Sequence, residues 1–435
     1  MLKWILIYVA IVNILGFAVM GIDKHRAEKQ KWRIPEKTLF LFSLIGGSIG
    51  TWAGMYAFRH KTKHWYFVIG MPAILIAQIA LIIYLKTNVF AATTSNKSKV
   101  LTHNIEVEAN VNDGTYDFTL CFAGDINLDE NWATTQHLNS CQGGIRDCIG
   151  PELMEAMQQA DIMWLNNEFT YSKGGSPKEG KAYTFRADPK RVENLKTMGV
   201  DIVGLANNHV YDYGKEALLD TFATLEGADI PYVGAGRTLS EASAPVYMQV
   251  QGKTIAFVAA SRAEKFKMTP QATDTGPGIL RCYDTQLFDK EIAEADAKAD
   301  IVVALPHWGT EYSTELEPVQ TATAREYIDA GADVIIGAHT HCLQGFEYYN
   351  GVPIVYSLGN YWFNEKTLDT MLLTLHCYGN NDENHMEVLL TPALQKDCTT
   401  VYISDPSAQR QLYDRLESIS VNVEIGDDGK VVEKE

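Results

Sequence analysis

Five short apolar runs of this sequence each end in side chains that bind metal ions or move protons. The endings combine aspartate, glutamate, asparagine and histidine, and they are Gly124-Asp125-Ile126-Asn127, Asn166-Asn167-Glu168, Asn207-Asn208-His209, Pro306-His307-Trp308-Gly309 and Gly337-Ala338-His339-Thr340-His341. Imidazole binds zinc, iron and manganese, whereas carboxylate and amide oxygens favour harder cations. If the five endings meet in space, they predict a site for divalent metal ions.

The number of candidate ligands is large enough for two ions. His339 and His341 are two residues apart, so in an extended segment they point to the same side. A histidine that stands alone at a strand end, as His307 does, is more often a structural residue held by hydrogen bonds. A single carboxylate can bridge two cations about 3.5–4 Å apart, which hold the attacking and leaving oxygens of a displacement at phosphorus. The pattern therefore indicates a two-metal hydrolytic site.

The elements that position these residues are expected to be buried strands. The apolar runs lie at 118–123, 162–165, 202–206, 255–260, 301–305, 334–336 and 354–358, and helical patterns separate them. One helix is marked by Asp188-Pro189 at its start and Gly199 at its end, because aspartate is favoured at the N-cap, proline at the first helical position and glycine after the last. Alternating strands and helices predict an α/β domain, in which ligands bind at the carboxyl ends of the strands.

The motifs resemble those of the CapA-type capsule proteins, which are named for poly-γ-glutamate capsule synthesis. The resemblance covers about residues 117–365 and depends on Phe122-Ala123-Gly124-Asp125, Asn167-Glu168, Tyr183-Thr184-Phe185-Arg186, the segment 205–214, His307-Trp308-Gly309-Thr310-Glu311-Tyr312, the segment 337–341 and Ser357-Leu358-Gly359-Asn360. These proteins have a calcineurin-like metallophosphoesterase fold. The resemblance therefore implies an α/β sandwich of that kind.

The resemblance also implies roles for individual residues. Asp125 and His341 would bind a first metal ion, and Glu168 would bridge it to a second. The ligands implied for the second ion are Asn208, His307 and His339. His209 would lie beside the reacting group, where it protonates the leaving group or stabilises developing charge. One or two divalent ions of the Mn, Fe or Zn type are the implied cofactors, and they would lower the pKa of a bound water towards neutrality.

Two positions depart from the wider phosphoesterase pattern. Asn127 stands where that pattern has a histidine, a better ligand, and the bridging residue is Glu168 rather than an aspartate. The first metal ion is therefore expected to be weakly bound, exchangeable or absent. Arg186 is a candidate for binding an anionic substrate group, because a guanidinium pairs with phosphate or carboxylate through two hydrogen bonds. A structural salt bridge is the alternative role for Arg186.

These features predict a divalent-metal-dependent hydrolase of phosphoester type that acts in the synthesis or export of poly-γ-glutamate or another capsule or surface polymer. Two alternatives stay open: a non-catalytic factor that binds or exports an anionic polymer through its metals, and an amide hydrolase at the same site. Residues 100–435 have 24 basic and 51 acidic side chains, a net charge of −27. This charge excludes non-specific nucleic-acid binding, which needs Lys and Arg to neutralise phosphates. The expected partners are a membrane and an anionic polymer or phosphoester.

Residues 1–99 form a different kind of sequence, with a net charge of +10 and three apolar runs at 4–20, 38–58 and 65–85. A membrane-spanning helix needs roughly 20 apolar residues, so the last two runs are long enough and the first is marginal. The segment from about 5 to 85 resembles a small family of membrane domains of unknown function. The resemblance depends on Gly21-Ile22-Asp23-Lys24, Trp32-Arg33-Ile34-Pro35-Glu36, Gly46-Gly47 and Phe58-Arg59-His60-Lys61.

Lys and Arg in two short loops, 22–37 and 59–64, bear on the orientation of this segment, because such loops stay in the cytoplasm. If all three runs span, the loop with more Lys and Arg keeps the rest of the chain cytoplasmic. If the middle run, rich in glycine, is a broken segment that re-enters, everything after the third run lies outside. The resemblance to capsule proteins favours the outside. The predicted location is therefore integral to a bacterial-type plasma membrane, with an extracytoplasmic C-terminal domain.

The expected organisation is a helical membrane domain of two or three spans at 1–88, a polar linker at 89–113, the metallophosphoesterase-fold domain at 114–400 and a C-terminal extension at 401–435 that ends in a charged tail from 427. Of seven cysteines, Cys121 and Cys377 lie in apolar runs and are expected as buried thiols. Cys141 and Cys148 are close enough in sequence for a disulfide in an oxidising compartment.

Overall fold

The chain divides into two compact units, Met1–Ser98 and Lys99–Glu435. The structure, a computed structural model, describes residues 2–29, 31–32, 34–84, 114–264, 267–380 and 382–434. The linker predicted at 89–113 lies outside the described residues. Each unit is therefore considered by itself.

The first unit is helical. Its helices are α1 (Leu2–Glu28), α2 (Glu36–Phe42), α3 (Ser48–Ala57) and α4 (Trp65–Tyr84), and a π-helical turn, Ser43–Gly47, joins α2 to α3. Within the described part of the chain, the joined stretch Glu36–Ala57 is the one helix that is long and apolar enough to cross a membrane. The three apolar runs of the sequence thus correspond to α1, the α2–α3 stretch and α4.

The glycine-rich middle run is both broken and closely packed. Gly46, with φ +109°, interrupts the helix. The side chain of Asn13 on α1 satisfies backbone groups at the break, because its amide nitrogen donates to the Gly46 carbonyl at 2.8 Å and its Oδ1 accepts from the Gly50 N–H at 2.7 Å. A Cβ on Gly50 would lie 1.9 Å from the Asn13 carbonyl oxygen. Close approach of α1 therefore requires glycine at position 50.

The second unit alternates strands and helices. Its strands are β1 (Tyr116–Ile126), β2 (Ile162–Asn167), β3 (Thr170–Tyr171), β4 (Arg186–Ala187), β5 (Ile202–Gly204), β6 (Tyr232–Val233), β7 (Ala235–Gly236), β8 (Val246–Val250), β9 (Lys253–Ser261), β10 (Gly278–Ile279), β11 (Ile301–His307), β12 (Val334–Ile336), β13 (Phe346–Tyr349), β14 (Val352–Val355), β15 (Asn360–Trp362), β16 (Leu368–Gly379), β17 (Asn384–Lys396), β18 (Thr399–Tyr402), β19 (Val423–Ile425) and β20 (Lys430–Glu433). Its helices are α5 (Ala133–Ser140), α6 (Pro151–Gln159), α7 (Val192–Thr197), α8 (Gly214–Gly227), α9 (Leu239–Ser243), α10 (Gln286–Asp296), α11 (Pro318–Asp329) and α12 (Pro406–Ser418).

Two large sheets pack face to face. The first has the strand order β19-β20-β17-β16-β1-β2-β5-β6, with β15 beside β1 and β18 beside β17, and the second has the order β13-β14-β12-β11-β9-β8. One apolar core lies between the sheets, and two others lie under helices on their outer faces. These layers confirm the predicted α/β sandwich.

Alternation along the central strand β1 shows how the sequence builds these layers. Phe118, Leu120 and Phe122 belong to the core between the sheets, whereas Cys121 and Ala123 belong to the core under the helices. Successive side chains of a strand point to opposite faces, so a strand that is buried on both faces must be apolar throughout. The continuous apolar run at 118–123 therefore indicates the centre of a covered sheet.

The end of the chain is part of the first sheet. The charged tail expected from residue 427 instead contains β20, which pairs with β17 through Val388–Val431 and Leu389–Lys430. Val431 is buried, and Lys430 Nζ lies 2.7 Å from a carboxylate oxygen of Glu387. The charged composition of this segment therefore concealed a strand with one buried valine.

Candidate metal centre

The carboxylate of Asp125 lies at the carboxyl end of β1, where the backbone fits closely against a neighbouring turn. The Asp125 N–H donates to the Gly359 carbonyl at 2.9 Å, and a Cβ on Gly124 would lie 1.9 Å from that same oxygen. Asp125 is in register with Asn360 on β15 and with Asn166 on β2. Glycine at position 124 therefore allows three adjacent strands to bring polar side chains to one edge.

Two groups of metal-type ligands form here, and they share one carboxylate. The groups are Asp125, Glu168 and His341, and Glu168, His307 and His339. Within each group the candidate ligand atoms all lie within 4.8 Å of one another, and every member is buried. A carboxylate shared by two groups is the arrangement needed to bridge two cations.

Buried amides hold the carboxylates in place. The Nδ2 of Asn166 donates to Asp125 Oδ1 at 2.7 Å and contacts Glu168 Oε2 at 3.3 Å. The Nδ2 of Asn207 donates in turn to Asn166 Oδ1 at 3.1 Å. Asn360 accepts through its Oδ1 at 2.8 Å from the Nδ1 of His341. Such partners fix ligand orientation before a metal binds.

The histidine ligands are held in an unusual backbone segment. His339 and His341 have φ values of +101° and +55°, in the left-handed region that residues other than glycine rarely adopt. The His339 ring lies 4.7 Å from the His307 ring, centroid to centroid, and the Nε2 of His307 lies 2.8 Å from Oδ1 of Asn208. Strained backbone of this kind is concentrated at functional sites, where surrounding contacts hold it.

Several buried ligand atoms have no hydrogen-bond partner among the described residues. They include Glu168 Oε1, His307 Nδ1 and His339 Nδ1. A buried polar atom without a partner costs folding free energy, and native proteins rarely leave one. Oxygen and nitrogen atoms left in this state within one cluster fit the chemistry of a cation site.

Burial and neighbouring charge shift the pKa values of the cluster in both directions. Burial, with the nearby charge of Asp125, raises the pKa of Glu168 well above its ordinary value. Burial, with the neighbouring histidines, lowers the pKa of His307 well below its ordinary value and that of His339 to about 3. Neutral imidazole is the form that binds metal, and a cation would relieve the repulsion between the two carboxylates.

The ring of His209 is held by a buried aspartate. Its Nδ1 lies 2.7 Å from Oδ2 of Asp212, which also accepts from the Phe185 N–H at 2.7 Å, while the other carboxylate oxygen accepts from Lys181 Nζ at 2.6 Å. Lys181 Nζ also lies 2.8 Å from Glu264. Burial lowers the pKa of His209 despite the charge of Asp212. The ring is therefore mainly neutral near pH 7, with Nδ1–H donating to Asp212.

Arg186 lies in a different pocket from the proposed ligands. The pocket is lined by Asp129, Ser172, Asp188 and Tyr213, among others. The guanidinium donates to the Gly174 carbonyl at 2.8 Å and stacks at 4.2 Å over the Tyr213 ring. These two contacts hold the Arg186 side chain, and no carboxylate among the described residues forms an ion pair with it.

Asn127 is used by the turn that follows β1. Its Oδ1 accepts from the Asp129 N–H at 2.8 Å, so this oxygen is already engaged. An amide is a poorer ligand than the histidine of the wider pattern, so a weakly held first ion stays a prediction.

Three further residues lie at the site without a role predicted from sequence: Lys181, Asp212 and Asn360. Asp212 follows His209 by three residues in the segment 205–214, and this spacing was a usable signal for a side-chain pair. Asn360 ends the motif that begins at Ser357. Lys181 has no such signal, because its position depends on a loop that folds back on Asp212.

Comparison with known proteins gives matches to both units. A family profile described as "Bacterial capsule synthesis protein PGA_cap" matches residues 119–365, and one described as "Protein of unknown function (DUF1294)" matches residues 13–67. The capsule match confirms the resemblance inferred from the motifs.

Individual relatives also match one unit or the other. "PGA biosynthesis protein CapA" of Bacillus subtilis is 36% identical over 218 residues, which are 49% of this chain and 56% of that protein, so the chain spans about half the length of this relative. "Uncharacterized protein YsdA" of the same organism is 48% identical over 75 residues, 17% of this chain and 84% of that protein. Among solved structures, the NAD nucleotidase of Haemophilus influenzae aligns with 72% of this chain and 65% of its own, at 11% identity and a TM-score of 0.34.

Proposed function

The chain belongs to the family of bacterial capsule synthesis proteins, and from this membership we propose that its second unit is a divalent-metal-dependent hydrolase of phosphoester type. It acts in the synthesis or export of an anionic surface polymer such as poly-γ-glutamate. The observation that supports hydrolysis best is the buried carboxylate of Glu168, which two groups of ligands share. The donor set of imidazole, carboxylate and amide fits ions of the Mn, Fe or Zn type.

Each proposed ligand has a defined place. Asp125 and His341 would hold the first ion, Glu168 would hold both, and the ligands of the second would be Asn208, His307 and His339. When bound, such ions activate a water nucleophile and stabilise charge on the phosphoryl oxygens. Because Asn127 is a poorer ligand than the histidine of the wider pattern, the first ion would exchange more readily.

The chain itself moves the proton. In the neutral ring of His209, Nδ1–H donates to Asp212, which leaves Nε2 free to accept a proton and return it to the leaving-group oxygen. The buried amide of Asn166 keeps both carboxylates oriented throughout. Arg186 would contact an anionic group of a long substrate away from the metals, since a guanidinium has five donors and the described structure shows one of them bound to Gly174.

Turnover should depend on added metal. The full chain, stripped with a chelator, is assayed on phosphomonoesters and phosphodiesters before and after addition of Mn²⁺, Fe²⁺ or Zn²⁺. We expect turnover after addition and none before it, because the ligand groups supply no nucleophile of their own.

Absence of turnover with all three ions would contradict a phosphoesterase. Metal-dependent binding of poly-γ-glutamate that persists in His209→Ala without turnover would indicate the non-catalytic alternative. Release of shortened polymer or free glutamate would indicate an amide hydrolase at the same site.

We further propose that the first unit is integral to the plasma membrane and that the second unit lies outside the cytoplasm. The stretch Glu36–Ala57 has the length and composition of a membrane-spanning helix. Its break at Gly46 suits a re-entrant segment, which enters and leaves the membrane on the same side. Protease added to intact cells should digest the second unit while a cytoplasmic marker protein stays whole. Protection of the second unit until the cells are lysed would place it in the cytoplasm.

A further inference from the structure

A second cluster of metal-type ligands lies outside the proposed catalytic centre. It contains His137 on α5, Cys141 immediately after α5, and Cys148 after the short helical turn Gly144–Asp147. One ligand atom from each of the three lies within 4.8 Å of the others. None of the three belongs to the motifs that define the proposed catalytic centre.

The distance between the two sulfurs favours a metal over a disulfide. The Sγ atoms of Cys141 and Cys148 are 4.0 Å apart, and both thiols are free. Two sulfurs bound to a tetrahedral zinc at roughly 2.3 Å are about 3.8 Å apart, whereas a disulfide requires about 2.05 Å. A disulfide also gives no role to His137, whose ring nitrogen is a third candidate ligand beside the two sulfurs.

The intervening loop is built to present both sulfurs. The Gly143 N–H donates to the Asp147 carboxylate at 2.7 Å, and Gly144 has φ +64°, which favours glycine. Cys148 is then fixed to β18, because the Thr400 N–H donates to the Cys148 carbonyl at 2.8 Å.

We propose that His137, Cys141 and Cys148 form a zinc site, separate from the proposed catalytic centre, with water as the fourth ligand. The ion ties the end of α5 to the loop and to β18. Its role is structural, since it links α5 to the loop that carries both cysteines. The proposal does not depend on the proposed hydrolase activity.

Cobalt distinguishes this site from the catalytic centre. The full chain is reduced, stripped of metal and titrated with Co²⁺, and the near-ultraviolet charge-transfer band of thiolate–cobalt bonds is recorded. The proposed catalytic ligands contain no sulfur, so the band reports the cysteine site. We expect a band that saturates with one equivalent of ion bound at this site.

Variants identify the residues that give rise to the cobalt band. It should disappear in Cys141→Ser and Cys148→Ser, and His137→Gln should weaken the cobalt affinity at least about tenfold. It should persist in Glu168→Gln and in Cys377→Ser, which changes a buried thiol of β16. No band in the reduced native chain, a band that survives Cys148→Ser, or a 141–148 disulfide in protein isolated from cells without reductant would each overturn the proposal.

Discussion

Replacing Glu168 with glutamine should abolish metal binding at the catalytic centre. Glu168 belongs to both groups of ligands, so one substitution removes a charged ligand from each. Loss of a partner that only orients a ligand costs roughly 10- to 100-fold in metal affinity. Loss of the shared ligand should therefore weaken Mn²⁺ binding, measured by calorimetric titration, by more than about 100-fold, and turnover should fall with it.

The same substitution should leave the metal-free protein at least as stable as the native chain. The Glu168 carboxylate is buried beside Asp125, and this environment raises its pKa, so its charged form opposes folding. Glutamine keeps the shape and removes the charge. The thermal midpoint measured after chelation should therefore be unchanged or higher, and the rise that Mn²⁺ gives the native protein through the Glu168 centre should vanish.

A second buried glutamate provides a control in which the same substitution should change the thermal midpoint in the opposite direction. Glu347 is buried, but its carboxylate lies 2.6 Å from Arg325 Nη2 and accepts from the Tyr356 hydroxyl at 2.6 Å. Glu347→Gln should thus lower the thermal midpoint and leave metal affinity unchanged. The view of Glu168 as a bridging ligand fails if Glu168→Gln retains metal affinity, or if it destabilises the chelated protein as Glu347→Gln does.

The fold could be predicted from sequence where burial imposes a pattern. Runs such as 118–123 and 301–305 are apolar because β1 and β11 are covered on both faces, and they became strands. The helical start was also readable, since Asp188 Oδ1 accepts from the Lys190 N–H and Gly199 has φ +78°. Two-residue strands and the terminal strand β20 gave no such pattern, because their stability depends on partners far away in sequence.

The candidate site was predictable to the extent that strand ends converge. Asp125 and His307 lie at the carboxyl ends of buried strands and Glu168 follows another, and parallel strands present these ends at one edge. The left-handed backbone at His339 had no sequence signal, since it depends on the turn that leaves β12. The ion pair of Lys181 with Asp212 also had no signal in the sequence, because it joins a loop to a motif 31 residues away.

His209→Ala should separate catalysis from metal binding. Its ring is not a member of either ligand group, so the stripped variant should regain the native content of Mn²⁺. A positioned general acid or base contributes roughly 10²- to 10⁴-fold to rate. We therefore expect kcat to fall within that range for substrates with poor leaving groups, and less for those whose leaving oxygen needs no proton.

Dependence on the leaving group is the measurement that identifies the role. A ring that only fills space would lower kcat for all esters equally, and that result would contradict proton transfer by His209. His376→Ala is the matched control, because His376 lies on β16 and pairs with Asp117 at 2.8 Å, and it should leave kcat unchanged.

Asp212→Asn extends the test to the group that holds the ring. The change removes the charge that pairs with Lys181 and the acceptor that keeps Nδ1 protonated, so Nε2 is no longer fixed as the atom that exchanges the proton. The loss of kcat should be smaller than in His209→Ala, and the double variant should be no slower than His209→Ala alone, because both act through one ring.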